Sequence, residues 1–421
     1  MHAVSFHVSV PRYLVGRAFG GISDAAVFGW PSGLRLGDVA VPPLPGPRWT
    51  ELAVIGGGIC GTDIGNLTFR ASTAMEPFGS FPAVLGHEIL ARVVAVGGEV
   101  ESVQPGQRVV VDPIVSCEVR GYPPDDWCPS CRSGRPASCH RGGDEGRVTV
   151  GGRPLARGLT IGYHRDLPGG WGERVLAHES QLVPVPDALP DRTAVLIEPL
   201  AVGVHAVLSA PPPLDGEVLV IGSGPVALAT VWALRALGHD GPIVAQAKRE
   251  REQALARALG ATDVCAPAGA RTLLLRTGAR PYRPIVGPEV YAGGGYATVY
   301  DCVGSAESLA QALRSGSTRG TVVMLGCAAT VRSLDLTMVW ARELTVRGVV
   351  GYGREAWSGE TLHTFALTQR LLEATDAPVA DLVTHSYPLD RYRTALSAAR
   401  NRRVSGAIKV VLTPSSGSPL R

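Results

Sequence analysis

The chain has 421 residues, 45% of them hydrophobic and 18% charged, which is enough material for two or three domains with large cores. A net charge of +3 is too small to indicate a nucleic-acid partner, and the absence of an 18-residue apolar run argues against a membrane span. The first residues, MHAVSFHVSVPRYLVG, alternate like a strand and lack the apolar block of a signal peptide. We therefore expect a globular, cytoplasmic protein with no nucleic-acid or membrane partner.

The first half of the chain is typical of short strands joined by long loops. Runs rich in β-branched residues, ELAVIGGGICGTD, HEILARVVAVGGEV and GQRVVVDPI, lie between glycine and proline residues. This pattern predicts an all-β, barrel-like unit. Three longer loops are expected at about 16–33, 70–82 and 140–170.

From about residue 191 the apolar residues take helical spacing, in DRTAVLIEPLAVGVHAVLSA, where Pro199 should kink or begin a helix. Strand and helix patterns then alternate, from GEVLVIGSGPVALATVWALRALG to LTVRGVVGY, which predicts a doubly wound parallel sheet. The tail from about 351 contains a helical pattern, TLHTFALTQRLLEA, and a last strand in SGAIKVVL. The predicted fold class is therefore α/β, preceded by a β-rich unit.

A glycine-rich turn indicates a dinucleotide site in this second part. Gly222, Gly224 and Ala227 form G-x-G-x-x-A after an apolar strand, and Pro225 and Val226 open the helix. The first glycine permits a tight turn, the second lets a pyrophosphate approach the backbone, and the alanine lets the helix pack on the strand. This context predicts a bound NAD or NADP.

The next strand end bears on the choice between the two nicotinamides. Enzymes that prefer NAD usually place a carboxylate there, on the ribose 2′-hydroxyl, but Gln246 and Ala247 are not acidic. Lys248 and Arg249 follow, and a guanidinium can bind a 2′-phosphate through paired charge-assisted bonds. We therefore predict a preference for NADP, mainly through Arg249. The alternative is that these cations only begin a solvated helix.

A candidate catalytic metal centre lies in the first half of the chain. Cys60 and His87 offer a thiolate and an imidazole, which both suit Zn²⁺, and Glu88 or Glu198 could supply a carboxylate. Three protein ligands and an open fourth position would make a catalytic site that polarises a substrate oxygen. Which glutamate binds directly stays open at this point.

Two neighbours of Cys60 could support this centre. Asp63 could orient His87 through a hydrogen bond to the imidazole. The hydroxyl of Thr62 stands two residues from the candidate ligand, where it could pass a proton from an alcohol substrate. Thr62 is therefore a candidate catalytic residue together with Cys60, His87 and Glu88.

A second metal centre is predicted from clustered cysteines. Cys128, Cys131 and Cys139 lie close together in CPSCRSGRPASC, and Cys117 precedes them by an interval of ten residues. Four cysteines in a chain without a signal peptide indicate a closed structural zinc site. Asp125 is the rival fourth ligand, so the choice between Cys117 and Asp125 stays open.

Several motifs together resemble the zinc-dependent medium-chain dehydrogenase/reductase family, in particular its sorbitol, threonine and glucose dehydrogenase-like branches. They are ICGTD, GHE, VQPGQRVVV, the cysteine lobe, IEPLAVGVHA, the glycine-rich loop and YDCVGS, in the family's order. The resemblance implies a GroES-like catalytic domain over 1–200 with a zinc lobe at about 117–139. It further implies a Rossmann domain over 201–350 and a return to the catalytic domain over 351–421.

The same resemblance implies roles for the site residues. Cys60 and His87 would be zinc ligands, Glu88 and Glu198 would bind the zinc or lie directly behind its ligands, and Thr62 would belong to a proton relay. The implied enzyme is a zinc-dependent NAD- or NADP-linked dehydrogenase of small-molecule alcohols, ketones or polyols. The family usually forms homodimers or homotetramers, so we expect one of these.

The sequence also departs from the family. Gly65 stands where relatives often carry a relay histidine, the cysteine lobe has an insertion, and the N-terminal, 140–170 and 281–295 segments are longer than usual. The first and second of these segments could reshape the substrate cleft. Gly65 keeps one alternative open, a catalytically silent nucleotide-binding or sensor protein stabilised by zinc. A second alternative on the same fold is a zinc-independent quinone or enoyl reductase, although such relatives usually lack the set Cys60, His87 and Glu198.

Overall fold

The structure, a computed structural model, describes residues 1–19, 23–327, 329–415 and 420. The chain forms two compact units. The first comprises Met1–Glu198 and Leu382–Arg421, and the second comprises Pro199–Asp381. The segment 351–381 therefore belongs to the second unit, whereas the sequence analysis expected it in the return to the first. Within the described residues, no helix combines the length and the apolar character needed to cross a membrane.

The chain up to residue 198 contains mostly strands. The strands are β1 His2–Phe6, β2 Leu34–Asp38, β3 Trp49–Ile59, β4 Ala83–Val84, β5 Glu88–Val96, β6 Arg108–Val111, β7 Thr149–Val150, β8 Arg153–Pro154, β9 Arg174–His178 and β10 Leu182–Pro184. The helices are α1 Val10–Phe19, α2 Asp24–Phe28, α3 Gly61–Leu67, α4 Pro129–Arg132 and α5 Asp191–Ala194.

The second unit alternates helices and strands. Its helices are α6 Ile197–Ser209, α7 Pro225–Ala236, α8 Glu250–Ala258, α9 Ala270–Arg276, α10 Ala306–Ser315, α11 Thr337–Ala341 and α12 Thr364–Glu373. Its strands are β11 Val218–Ile221, β12 Ile243–Gln246, β13 Asp263–Cys265, β14 Arg280–Tyr282, β15 Val290–Ala292, β16 Tyr296–Asp301, β17 Gly316–Met324, β18 Thr345–Gly348, β19 Arg354–Trp357 and β20 Glu360–His363. The last part of the chain adds β21 Val383–Pro388, α13 Tyr392–Arg400, α14 Arg402–Ser405 and β22 Lys409–Thr413 to the first unit.

The first unit is built on a seven-stranded sheet that uses both ends of the chain. Its strand order is β10-β6-β5-β3-β22-β21, and β9 also pairs with β3. Strand β3 pairs with β5 on one side and with β22 on the other, so residues more than 300 positions apart in sequence become neighbours. This pairing carries Glu88, at the start of β5, and Lys409, at the start of β22, to the two sides of β3.

The second unit confirms the predicted doubly wound sheet. Six parallel strands lie in the order β13-β12-β11-β16-β17-β18, which is the 3-2-1-4-5-6 order of a Rossmann fold. The order reverses at β11, and a ligand in such a sheet binds beyond the carboxyl end of the strands at this point. The glycine-rich turn lies there, between β11 and α7.

The N-terminal alternation predicted one strand, but the structure divides this segment. Strand β1 ends at Phe6, and α1 begins at Val10. Pro11 explains the change, because proline is well tolerated in the first helical turn and has a preset φ. The predicted long loop at 16–33 holds the end of α1 and the whole of α2, and its residues 20–22 lie outside the described residues.

Candidate functional site

His87 lies in an irregular segment, residues 85–87, and Glu88 is the first residue of β5, the strand that follows it. The preceding Gly86 has φ +94, and a Cβ atom there would lie 2.3 Å from Cδ1 of Trp171. Only glycine fits this combination of left-handed backbone and close packing. This backbone lets both side chains approach the same region, because His87 lies just before the alternating strand begins.

Cys60 and Asp63 are held together by a helix terminus. Cys60 is the N-cap of α3, and its backbone N–H donates to Oδ2 of Asp63 over 2.8 Å. This reciprocal arrangement is a capping box, which stabilises the first turn. The hydroxyl of Thr62 lies 3.5 Å from Sγ of Cys60. The sequence ICGTD thus fixes the thiol, the hydroxyl and the carboxylate through one local structure.

Asp63 also connects to His87 and to a residue that the sequence analysis did not identify, Tyr163. Oδ1 of Asp63 lies 3.4 Å from Nδ1 of His87 and accepts a hydrogen bond from the Tyr163 hydroxyl. Burial lowers the pKa of His87, but the carboxylate of Asp63, together with Cys60, raises it well above its usual range. Burial and the nearby Asp63 also raise the pKa of Tyr163 well above 10.

The structure brings the side chains of Cys60, His87 and Glu88 together. One potential ligand atom from each lies within 4.8 Å of the other two. Glu88 is 1% exposed, and both of its carboxylate oxygens accept from Nζ of Lys409, at 2.5 and 2.6 Å. A Cβ at Gly58 would lie 1.8 Å from Oε2 of Glu88, so the carboxylate fills space that only a glycine leaves.

Lys409 is as deeply buried as its partner. Its side chain is 2% exposed, and Nζ also lies 3.4 Å from the carbonyl oxygen of Ile59. Burial lowers the pKa of Lys409, but Glu88, with help from Cys60 and Glu198, raises it above its ordinary value. The Glu88 carboxylate therefore favours the charged form of the Lys409 ammonium.

Glu198 lies in the first turn of α6 and is 7% exposed. It is outside the group formed by Cys60, His87 and Glu88, although its charge acts on Lys409. The two candidate glutamates thus differ in their distance from the thiol and the imidazole and in their partners. Glu88 is near the thiol and the imidazole but already bound to an ammonium, whereas Glu198 stands further away.

All four cysteines of the second candidate centre converge. The sulfur atoms of Cys117, Cys128, Cys131 and Cys139 lie within 4.8 Å of one another, and all four residues are buried. Asp125 is exposed in a short 3₁₀ turn, Pro124–Asp126, and is outside this group. Of the two rivals for the fourth position, the structure therefore brings Cys117 to the other three.

The surroundings of these sulfurs lower the pKa of Cys139 but raise the pKa values of Cys117 and Cys131, the latter mainly through its hydrogen bond with Cys139. Backbone N–H groups of Cys128 and His140 point at Sγ atoms over 3.3 and 3.5 Å, and such donors favour the charged form. A hydrogen bond with Cys131 lowers the pKa of Cys139 to about 5, while burial raises the pKa of Cys117 to about 11. Four convergent sulfurs of this kind fit Zn²⁺, which binds cysteine tetrahedrally.

The glycine-rich loop has the conformation that a dinucleotide requires. Gly222 has φ +124, and Gly224 is the N-cap of α7, with Pro225 in the first turn. Ala227 is 1% exposed, and a Cβ at Gly222 would lie 3.4 Å from the Cβ of Ala227. Helix and strand thus pack closely, and the N-terminus of α7 is available to an anion.

At the end of β12, no carboxylate takes the position usual for NAD. Gln246 and Ala247 are buried, Lys248 is exposed, and Arg249 is the N-cap of α8. Arg249 forms an ion pair with Glu252, a partner that the sequence analysis did not anticipate. The guanidinium has five donors, so this pairing leaves it able to bind a further anion.

Two family models match the chain. The model described as the alcohol dehydrogenase GroES-like domain matches residues 46–187, and the model described as zinc-binding dehydrogenase matches 225–366. L-galactonate-5-dehydrogenase of Escherichia coli (strain K12) is 32% identical over 215 residues, which cover 51% of this chain and 54% of that protein. Sorbitol dehydrogenase of Bos taurus is 26% identical over 386 residues, which cover 91% of this chain and 93% of that protein.

A solved structure is similar over nearly the whole length. It is described as a zinc-binding dehydrogenase from Sinorhizobium meliloti 1021 bound to NADP. It is 25% identical, has a TM-score of 0.68, and covers 98% of this chain and 99% of that one.

Proposed function

We propose a role for each residue of the site from one premise: the chain belongs to the zinc-dependent medium-chain dehydrogenase/reductase family. It is an oxidoreductase that transfers a hydride between a nicotinamide dinucleotide and a small alcohol, ketone or polyol. The prediction of this fold and activity is confirmed. The two alternatives, a zinc-independent reductase and a silent binding protein, gain no support from these relatives.

For the catalytic metal, we assign Cys60 and His87 as ligands and Glu198 as the third protein ligand. The observation that carries this choice is the double hydrogen bond from Lys409, which engages both oxygens of Glu88. A carboxylate held in this way offers little negative charge to a second cation. When bound, zinc supplies a Lewis acid that polarises the substrate oxygen.

The remaining residues would hold that centre and move the proton. Asp63 would orient His87 through Nδ1, as carboxylates commonly do for metal-binding imidazoles. Thr62, beside Cys60, would accept the proton that the alcohol loses. The proton path beyond Thr62 is unassigned, because Gly65 offers no side chain there.

We assign the four cysteines to a second, structural zinc. Their convergence without Asp125 supports Cys117 as the fourth ligand. A closed site of four thiolates leaves no position for a substrate, so its contribution would be to the stability of the lobe.

For the cofactor, we propose a preference for NADP. Residues Gly222 to Ala227 would cradle the pyrophosphate at the start of α7. The 2′-phosphate would lie near Lys248 and Arg249, where the absence of a carboxylate at Gln246 and Ala247 removes repulsion. Glu252 reduces the local positive charge through its ion pair with Arg249. We therefore expect Lys248 to contribute more to binding of the 2′-phosphate than the sequence alone predicts. The cytoplasmic location and the homodimer or homotetramer stay predictions.

Metal counts and turnover of Cys60→Ala test this proposal, with Cys265→Ala as the control. Cys265 is a buried thiol of the second unit, outside both candidate centres. We expect two zinc ions per chain in the wild type and in the control. Cys60→Ala should hold one zinc, lose turnover and keep nucleotide binding.

The matched pair Glu198→Gln and Glu88→Gln tests the choice of glutamate. If Glu198 is the ligand, Glu198→Gln should lose the catalytic zinc, and Glu88→Gln should retain it. Near wild-type turnover in Cys60→Ala would contradict a zinc-catalysed reaction.

A further inference from the structure

Tyr163 lies in the 140–170 segment, which the sequence predicts to be longer than in relatives, and its hydroxyl donates a hydrogen bond to the Asp63 carboxylate. We propose that Tyr163 is a positioning residue that fixes the Asp63 carboxylate, and through it His87 and Cys60, in the geometry that holds the metal. This inference rests on the proposed function, because it takes Cys60 and His87 as ligands.

The backbone around Tyr163 is held against the segment that carries His87. Gly162 has φ +90, and a Cβ there would lie 2.8 Å from the carbonyl oxygen of Gly86. The two backbones therefore touch directly, and no larger residue could replace Gly162 without moving the backbone of Gly86. The N–H of Ser80 donates to the Tyr163 carbonyl over 3.0 Å, which ties the segment to a further loop.

The side chain of Asp63 has three partners, and each restricts a different part of it. Oδ2 accepts from the backbone N–H of Cys60, and Oδ1 both accepts from Tyr163 and lies 3.4 Å from Nδ1 of His87. Asp63 is fully buried, so water does not replace a lost partner easily. Without the tyrosine hydroxyl, Oδ1 would keep only the longer contact with His87.

The ring of Tyr163 adds a second restraint. Its centroid lies 5.6 Å from that of the His87 imidazole, with the planes tilted by 38°. This packing limits rotation of the imidazole, while the hydroxyl acts on the carboxylate. A Tyr163→Phe substitution keeps the ring packing against His87 and removes the hydroxyl, so it isolates the contribution of the hydroxyl.

The experiment is zinc release from the full chain to a chromogenic chelator, for Tyr163→Phe and for Tyr13→Phe. Tyr13 packs edge-on against Phe69 in the same core cluster, so this control removes a hydroxyl that does not face Asp63. Loss of an outer partner of a metal ligand typically weakens metal binding 10- to 100-fold. We expect a zinc affinity about tenfold lower in Tyr163→Phe, at the low end of that range, and no change in Tyr13→Phe.

Two further measurements separate positioning from general destabilisation. Cobalt substitution should shift the thiolate-to-metal charge-transfer band of Tyr163→Phe, whereas the thermal midpoint should match that of Tyr13→Phe. In an Asp63→Asn background, Tyr163→Phe should have little additional effect, because both act through one hydrogen bond. Unchanged zinc affinity, or effects of the two substitutions that add fully, would overturn the proposal.

The test also distinguishes its failure from failure of the proposed function. The release phase of the catalytic zinc is identified as the one that Cys60→Ala lacks. If wild type has no such phase, the zinc assignment itself is wrong. If the phase exists and Tyr163→Phe leaves it unchanged, only the role of Tyr163 is wrong.

Discussion

Lys409 and Glu88 form an ion pair from which water is almost completely excluded, with exposures of 2% and 1%. Removing one partner of such a pair leaves a buried charge without compensation, which typically costs about 3–5 kcal/mol. The two single substitutions Lys409→Met and Glu88→Gln leave opposite charges behind. The pair therefore predicts two destabilisations with opposite pH dependence.

In Lys409→Met, Glu88 can avoid the cost of a buried anion by taking up a proton. An unperturbed glutamic acid has a pKa of about 4.3, so holding it neutral at pH 7 costs about 3.7 kcal/mol. Burial without the ammonium favours the protonated carboxyl in the folded variant, so the destabilisation grows as pH rises above about 4.3, the ordinary pKa that applies to the unfolded chain. We expect a loss of about 3–4 kcal/mol at pH 7 that falls to about 1 kcal/mol at pH 5.

In Glu88→Gln, Lys409 can avoid the cost by losing its proton. Holding a lysine neutral at pH 7 costs about 4.6 kcal/mol from an ordinary pKa of about 10.4. Cys60 and Glu198 also stabilise the ammonium, so the real loss should be smaller. Here the folded pKa is lowered, and the destabilisation should shrink as pH rises towards 9.

The assay is urea unfolding of the full chain at about pH 5, 7 and 9, compared with the double variant Lys409→Met/Glu88→Gln. The double variant buries no charge and should recover most of the loss, because replacing a buried pair with neutral groups is often neutral. The unfolding signal must come from the first unit, since two units need not unfold together. Losses below about 1 kcal/mol at pH 7, or pH trends of the same sign, would refute a desolvated pair.

Three further predictions follow from the described contacts. Cys117→Ser should remove the structural zinc and lower the thermal midpoint, while Asp125→Asn should change neither. Loss of zinc from Asp125→Asn would instead indicate that Asp125 is the fourth ligand. Arg249→Ala should lower kcat/KM with NADP about tenfold and leave kcat/KM with NAD little changed. The reason is that one charge-assisted hydrogen bond is worth about 1.5–3 kcal/mol, and we expect the low end because Glu252 shares the guanidinium. A wild-type preference for NAD that the substitution leaves unchanged would refute the NADP site. Gly86→Ala should destabilise the first unit by about 3 kcal/mol and reduce zinc content, whereas Gly98→Ala, which has space for a Cβ, should be close to neutral in both measurements.

The sequence predicted best what depends on neighbouring residues. The glycine-rich turn, the helix after it and the parallel sheet follow from local periodicity and turn chemistry, and the structure has all three. The placement of Cys60 beside Asp63 is likewise local, because one helix cap fixes both. The alternation rule does not predict the N-terminal helix, because a real five-residue strand, His2–Phe6, precedes it and the main signal for the helix is Pro11 in its first turn.

Partners that are distant in sequence could not be predicted in the same way. Lys409 follows Glu88 by 321 positions, and only the pairing of β22 and β5 with β3 makes them neighbours. A weak signal was nevertheless present, since a lysine inside the apolar strand AIKVVL must find an anion if that strand is buried. Tyr163 gave no such signal, because a tyrosine in a glycine-rich loop is ordinary.

Gly58 and its neighbours carry a sequence signal for this buried ion pair. Residues 56–58 are three consecutive glycines inside β3, where glycine weakens a strand unless another group approaches closely. In the structure a Cβ at Gly57 would lie 2.3 Å from the carbonyl oxygen of Gly170, and one at Gly58 would meet Glu88. The glycines therefore make room for a buried carboxylate and for the loop segment before Trp171. A buried carboxylate requires a cation, and in this chain Lys409 is the cation that the adjoining strand supplies.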